Sequence, residues 1–410
     1  VNDMRYKLRD LYKVANGLSK GGAFFGSGFP FISFSTVFNN FFVPDEINDF
    51  VQSTLKEQVT YSIKKGDILI TRTSETIDEL GMSCVALKDY PTATFNGFCK
   101  RLRPLTDKVY PHFIGYYLRT PYFRSNFKKV ASLITRASLR NDDLLRFSIE
   151  LPPIDKQKKI AEILYSYDNL IENNNKRIKL LEKMAENLYK EWFVRFRFPG
   201  YEKAKFTDGF PKDWEKIKLD DVLNKIATGL NPRKNFVLGE GQNFYVTIKN
   251  MADNTVYLND KCDKVNDDAI IKINKRSDLK IGDLLFSGIG TIGRVCLIDI
   301  PTNNWNVSES VFTMRANEKI SSEFLYMLLL SQDVQNYCQS KANGSAQKGI
   351  RMGDLKKYTF LLPTKNIINN FTDQTSPILR NVSLLRKENK NLIQQRDMLL
   401  PRLMSGKLKV

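Results

Sequence analysis

Few residues in this chain are of a type and spacing that could do covalent chemistry. His112 is its single histidine. That removes a Ser-His-Asp triad, a poly-histidine metal site and most imidazole acid–base designs. Set between Tyr110-Pro111 and Phe113, it reads as structural. Gly288-Ile289-Gly290-Thr291-Ile292-Gly293 fits G-x-G-x-x-G behind the strand-like run Asp283 to Phe286. A dinucleotide site also needs a helix directly after the glycines. Here the strand-like Arg294 to Ile298 follows, which predicts a Gly-rich hairpin or loop. No G-x-x-x-x-G-K-[ST] phosphate loop occurs. An adenine-methylating enzyme needs an Asn/Asp-Pro-Pro-aromatic tetrad, and the nearest string, Asn231-Pro232-Arg233-Lys234, fails. A divalent-metal nuclease needs Pro-Asp and then Asp/Glu-x-Lys. Pro44-Asp45 has no such partner within forty residues, and Asp278-Leu279-Lys280, Asp354-Leu355-Lys356 and Glu388-Asn389-Lys390 stand alone. Cys84, Cys99, Cys262, Cys296 and Cys338 are widely spaced with no C-x-x-C, against a zinc site or a disulfide framework. The chain is expected to do no covalent chemistry and to bind no metal or cofactor of its own.

What remains is binding chemistry. Lys and Arg total 63 against 45 Asp and Glu, a net charge of +18 that no single tail holds. Such a balance favours a polyanion, most often nucleic acid. Basic, polar, Gly-bearing loops are the candidates: Arg72, Thr73 and Ser74; Arg136, Ser138 and Arg140; Lys249 and Asn250; Ser287 and Gly288; Ser345, Gln347, Lys348 and Arg351. Arg, Lys, Asn and Gln reach base edges, and Ser, Thr and Gly let backbone approach phosphates.

These loops recur, and that recurrence leads to the elements that must hold them. Leu8-Arg9-Asp10-Leu11 returns as Leu219-Asp220-Asp221-Val222, an offset of 211, and Asn16-Gly17-Leu18 as Thr228-Gly229-Leu230 at 212. Gly66-Asp67-Ile68-Leu69-Ile70 returns as Gly282-Asp283-Leu284-Leu285-Phe286 at 216. Asp143-Leu144 and Leu151-Pro152 return as Asp354-Leu355 and Leu362-Pro363, again at 211. A period this long means two copies of one domain, not a solenoid. Tyr61 to Thr71, Phe244 to Ile248 and Arg294 to Ile300 read as strands. Phe113 to Val130 and Ser322 to Ser340 read as amphipathic helices, so each copy is α/β or α+β.

A long helix follows each copy. After Pro152-Pro153, with Asp155 as cap, a seam runs Ile160, Leu164, Tyr167, Ile171, Asn174, Ile178, Leu181, Ala185, Leu188 and Trp192, alternating steps of four and three over 33 residues. That is a heptad pattern. The second seam runs Ile378, Val382, Leu385, Asn389, Leu392, Arg396, Leu399 and Leu403, and is poorer at Arg396. Each carries one asparagine, Asn174 or Asn389, of the kind that fixes register. Antiparallel pairing is expected to put the two globules at opposite ends, with the first seam about 50 Å long. Pro377 and Pro401 are expected to delay or kink the second helix.

Four segments then carry a family resemblance. Leu151 to Ile160 looks like the lead-in to the central helix of the specificity subunits of Type I restriction–modification systems. Leu188-Tyr189-Lys190-Glu191-Trp192-Phe193 looks like the exit from that helix, Pro211 to Trp214 like the opening of a second recognition domain, and Arg396 to Gly406 like the C-terminal end. The resemblance covers nearly all of the 410 residues. It departs at the front, where Trp214 falls on Asp3; a trimmed or divergent start is expected, as Val1 is not Met.

The resemblance implies two similar target-recognition domains, 1–153 and 214–365, an α/β (α+β) pseudo-twofold repeat separated by a pair of long antiparallel coiled-coil helices. The central helix is 154–198, a linker 199–213 and the C-terminal helix 366–410. It also implies that each domain reads one half of a bipartite asymmetric double-stranded DNA target while the helices set the spacer. Two modification (methyltransferase) subunits carrying S-adenosylmethionine dock on those helices, and restriction (nuclease-translocase) subunits join for cleavage. No run is long and apolar enough for a membrane span, and a cytoplasmic site is expected. Two alternatives stay open: the recognition module of another adenine methyltransferase or restriction system, and a coiled-coil scaffold with no DNA role.

Overall fold

The computed structural model describes residues 4–72, 79–131, 139–343, 348–408 and 410. The chain forms two compact units, Val1–Asn173 with Glu388–Val410, and Asn174–Lys387. Their main sheets are built alike, and the second unit adds two short ribbons, Phe206–Thr207 on Phe210–Pro211 and Met251–Ala252 on Thr255–Val256.

In the first unit a four-stranded sheet has the order Tyr12–Asn16, Cys99–Pro104, Ile68–Thr71, Ser83–Val85. In the second the order is Leu223–Thr228, Val311–Ala316, Leu284–Ser287, Val295–Leu297. Every residue of Ile68–Thr71 and of Leu284–Ser287 is buried. A strand covered on both faces has no polar side to show, so it reads as a continuous apolar run. That is why these two segments were legible in sequence. The turn before each is also shared. Asp67 accepts the backbone N–H of Lys64 at 2.8 Å and the Arg103 side chain at 2.6 and 2.8 Å. Asp283 likewise accepts the N–H of Lys280 at 2.9 Å and the Arg315 side chain at 2.7 and 2.8 Å. The strand Ile68–Thr71 is shorter than the sequence run Tyr61 to Thr71 because the turn starting at residue 64 interrupts that run.

A three-stranded sheet completes each copy: Phe50–Val51, Phe25–Ile32, Thr94–Phe95 in one, and Asp263–Val265, Asn243–Val246, Trp305–Val307 in the other. Gly17 and Gly229 make the close approach to it possible. A Cβ on Gly17 would lie 2.0 Å from the Asn96 carbonyl oxygen, and one on Gly229 1.6 Å from that of Val307. A two-stranded ribbon closes each domain, Met4–Lys7 on Ser148–Leu151 and Glu215–Lys218 on Thr359–Leu362.

The two expected amphipathic helices are each a pair. Pro111–Tyr117 precedes Pro121–Ala131, and Ser322–Leu330 precedes Gln332–Lys341. The breaks fall at Thr120 and Ser331, residue types favoured at helix N-caps, and Ser331 caps by its extended backbone without a side-chain bond. Thr120 Oγ1 accepts the Phe123 N–H at 3.2 Å. The first helix of each pair is a core helix: Phe324 to Leu329 are all buried, as are Phe113 to Tyr117.

The central helix is Ile154–Tyr189, 36 residues, ending in one wide turn, Lys190–Val194. In the second unit that turn is held by an aromatic cluster in which Phe193 packs on Phe371 at 4.8 Å and on Phe324 at 5.0 Å. The C-terminal helix runs unbroken over Lys365–Met404. The expected interruption at Pro377 and Pro401 does not occur. Both prolines face solvent, where water can take the freed carbonyls, and the seam on the opposite face holds the helix together. Within the first unit Ile160 and Leu164 share a core with Leu400 and Leu403, while Asp168 pairs with Arg396 at 2.5 Å. Within the second, Ile178 packs with Val382 and Leu385, and Tyr189 meets Phe371. Advancing along one helix retreats along the other, so in each unit they are antiparallel. All the seam positions named from sequence are buried or half-buried, Tyr167, Ile171, Asn174, Leu181, Leu188, Ile378, Asn389, Leu392 and Leu399 included. Each fully buried aliphatic seam side chain contributes about 1.5–3 kcal/mol. Arg396, the apparent flaw, is a polar seam partner: its guanidinium also lies 4.9 Å from the Phe41 ring.

Candidate nucleic-acid interface

Strand pairing brings three loops to one point in each copy. In the first, the Arg72 N–H donates to the Phe98 carbonyl at 2.9 Å, and the Leu139 N–H donates to the Arg72 carbonyl at 2.9 Å. In the second, the Gly288 N–H donates to the Ser310 carbonyl at 3.0 Å, and the Ile350 N–H donates to the Gly288 carbonyl at 2.8 Å. The two points are equivalent by register, since Ile70 faces Lys100 as Phe286 faces Phe312. The loops picked from sequence around 72 and 140, and around 288 and 351, therefore meet.

Their side chains fare differently. Arg72 is half-buried, and Arg140 is exposed at the start of the helix Asn141–Arg146. Lys348 and Arg351 are exposed, with no ion pair among the described residues, and Arg351 starts the helix Met352–Lys356 as Arg140 starts its own. Lys249 is exposed in the turn Ile248–Asn250, which the Arg294 side chain ties to the glycine loop by donating to the Ile248 and Met251 carbonyls at 3.0 and 2.5 Å. Thr73, Ser74, Arg136, Ser138, Ser345 and Gln347 lie outside the described residues.

Three of the residues named from sequence hold the loops themselves together. Asn250 is buried and its Oδ1 accepts the Thr247 N–H at 2.9 Å, closing its own turn. Ser287 is buried; its Oγ accepts the Arg294 N–H at 2.8 Å and donates to the Thr291 carbonyl at 2.5 Å. Gly288 is required by packing, because a Cβ there would sit 2.4 Å from the Phe312 ring. The Asn250 Oδ1, the Ser287 hydroxyl and the Gly288 backbone are thus engaged within the fold. The glycine motif is the loop between the antiparallel strands Leu284–Ser287 and Val295–Leu297, as its following residues predicted, with no helix to bind a pyrophosphate.

Sequence reasoning missed Phe98 and Lys100. Phe98 is 59% exposed, an aromatic ring at the convergence point. Asn96-Gly97 before it is a turn signal that could have marked it. Lys100 is buried, and its ammonium donates to Asn16 Oδ1 at 3.0 Å and to Asn141 Oδ1. Burial, and then the neighbouring Arg72 charge, hold it below the ordinary lysine range. Nothing in the local sequence marks a lysine in a strand as buried. Among the described residues no group of His, Cys, Asp and Glu is placed to hold a metal ion.

Comparison with known proteins bears on this arrangement directly. The chain is 25% identical to the Type I restriction enzyme MjaIX specificity subunit of Methanocaldococcus jannaschii, over 98% of this chain and 93% of that one. It is 24% identical to the HindI specificity subunit of Haemophilus influenzae, over 92% and 94%. Its fold matches the crystal structure of the Type I restriction–modification S subunit from M. genitalium with a TM-score of 0.57 at 14% identity, over 98% and 96% of the two chains. Residues 4–183 and 211–394 each match the Type I restriction modification DNA specificity domain, and with both repeats accounted for in this way the chain belongs to that family.

Proposed function

We propose that this chain is the DNA-specificity subunit of a Type I restriction–modification complex and that each of its two domains reads one half of a split, asymmetric duplex target. The observation that carries the reading is the doubled convergence of loops, at Phe98–Arg72–Leu139 and at Ser310–Gly288–Ile350, on one scaffold with different side chains at each tip. A shared scaffold with divergent tips is what two readers of different sequences require. Residues 1–153 and 214–365 are assigned as the readers, 154–198 and 366–410 as the helices, and 199–213 as the linker.

The chain is the non-catalytic component. Its partners are duplex DNA and the other subunits of the system. Two modification subunits dock on the helix pair and bring the S-adenosylmethionine, and restriction subunits join for cleavage. The paired helices act as the ruler between half-sites. Arg140, Lys348 and Arg351, exposed and free of ion pairs among the described residues, are assigned to bases or phosphates, and Lys249 with them. Among the described residues no helix is long and apolar enough to cross a membrane, and the cytoplasm, where host DNA lies, is the assigned compartment.

The test is methyl transfer. Incubated alone with labelled S-adenosylmethionine and duplex DNA, the chain should stay silent; with its modification subunit it should direct adenine methylation to one bipartite sequence. Transfer by the chain alone contradicts the assignment.

A further inference from the structure

The two convergence points differ beneath the surface. In the first copy Arg72 and Lys100 stand at one corner of the sheet, where Ile70 faces Lys100 and the Arg72 N–H donates to the Phe98 carbonyl at 2.9 Å; burial, and then the Arg72 charge, lower the Lys100 pKa. Neither has a carboxylate partner among the described residues. The Arg72 Nε is buried with no hydrogen-bond partner among the described residues. Lys100 is 3% exposed, and among the described residues it is held by the amide oxygens of Asn16 and Asn141. Two adjacent cations, one of them buried, are costly to leave without a counter-charge. The flanking amides have their oxygens turned to the lysine, which leaves N–H groups as their remaining polar capacity. Such a group of donors, with no competing carboxylate, suits one ligand chemistry: a tetrahedral oxyanion.

Strand register identifies the equivalent positions in the second copy: Arg72 becomes Gly288, Lys100 becomes Phe312 and Asn16 becomes Thr228. Asn141 becomes Met352, each the first residue of the matching short helix. There the Phe312 ring fills the space over Gly288, and Met352 packs on the same apolar core. The same scaffold position is a cationic cluster in one copy and a closed hydrophobic plug in the other.

We propose that Arg72 and Lys100 form an anion site that seats one backbone phosphate of the first half-site, and that the second domain has no counterpart. This rests on the DNA-specificity reading above and adds a fixed anchor to it. Arg72, the half-exposed member, donates to the phosphate. Lys100, beneath it, supplies charge that salt screens little because it is buried. A phosphate contact carries no sequence information and sets where the reader sits.

The experiment is the salt dependence of binding of the full chain to a random-sequence duplex, where base contacts do not enter. Each neutralised phosphate contributes about 0.9 to the slope of log affinity on log salt. Arg72→Gln should lower that slope by about one. Between 50 and 200 mM salt it should therefore lose roughly three- to four-fold less affinity than the wild type. Lys100→Met should lower the slope too, and Lys100→Arg should restore it. A purely structural role for Lys100 would change the unfolding temperature and leave the slope alone. If Lys100→Met does not fold, Arg72→Gln, at a half-exposed loop position, decides alone. A second arm titrates inorganic phosphate against the full chain without DNA and follows thermal unfolding. Stabilisation by phosphate that Arg72→Gln abolishes, with an unchanged DNA slope, would show a free-phosphate site and overturn the assignment to the DNA backbone. Duplex binding with an unchanged slope in every variant, and no phosphate response, would overturn the site while leaving the DNA reading intact. No duplex binding by any form of the chain would overturn both.

Discussion

The two domains agree where the chain must fold and disagree where it can touch something else. Asp67 with Arg103 and Asp283 with Arg315 are the same device at the same place, an aspartate that closes a turn and grips an arginine on the neighbouring strand. Gly17 and Gly229 serve the same close backbone approach. A few residues away, at the loop convergence, one copy carries Phe98, Arg72 and Lys100 and the other Ser310, Gly288 and Phe312. Duplication preserved what the backbone geometry demands and left the tips free to diverge, which separates stability from recognition within a single fold.

That separation can be tested by breaking each part in turn. The largest effect should come from the helices. Inserting one heptad in register between Ile171 and Leu181 keeps the seam and adds about 10 Å, up to about three base pairs at 3.4 Å each. Methylation of the original target should be lost and reappear at a target with both half-site sequences intact and a longer gap. An active variant with an unaltered gap rejects the ruler.

Next come the shared aspartates. Asp67→Ala and Asp283→Ala each leave a turn N–H unpaired and take from a part-buried guanidinium its nearest carboxylate, while Arg103 keeps the Ser62 carbonyl and Arg315 the Asp278 carbonyl. Breaking such a pair costs about 2–3 kcal/mol when the arginine keeps some solvent contact. Urea unfolding should show similar losses for the two; a large loss in one copy and none in the other would deny their equivalence. Gly17→Ala and Gly229→Ala should follow at about 1–3 kcal/mol each, as an added methyl group meets a carbonyl that cannot move aside.

The smallest effect is expected from His112, which exists only in the first copy. Burial, and then the Lys65 charge, hold its imidazole below the ordinary histidine value, and its Nδ1 is buried without a partner among the described residues. The unfolded chain therefore takes up the proton first as pH falls, so stability is present above about pH 6.5 and declines below it. The urea midpoint should fall more between pH 7 and pH 5 for the wild type than for His112→Gln. Equal declines would remove the histidine from the account.

The parts legible in sequence were those that packing constrains twice. Ile68–Thr71 and Leu284–Ser287 showed as apolar runs because both faces are covered, and the seam showed because every third or fourth residue is buried along one face. The parts missed are those where local composition is ambiguous. Ser287, Gly288 and Asn250 have the composition of a surface loop, yet each is consumed by its own turn or by a neighbouring ring. Lys100 and Phe312 occupy one position, but the repeat offset drifts from 211 to 216 and back to 212 around them, so only strand register pairs them. Pro377 and Pro401 looked like breaks because sequence does not show that both lie on the exposed face.

The most direct test of the central claim, two independent readers on one chain, is methylation of a randomised duplex library by alanine variants assembled with the modification subunit. Loss of a base contact costs about 1–3 kcal/mol and relaxes one position, whereas loss of a phosphate contact weakens all sequences alike. Lys348→Ala and Arg351→Ala should alter preference only in the half-site read by the second domain, and Arg140→Ala only in the other. A single variant that changed base preference in both half-sites would contradict the account.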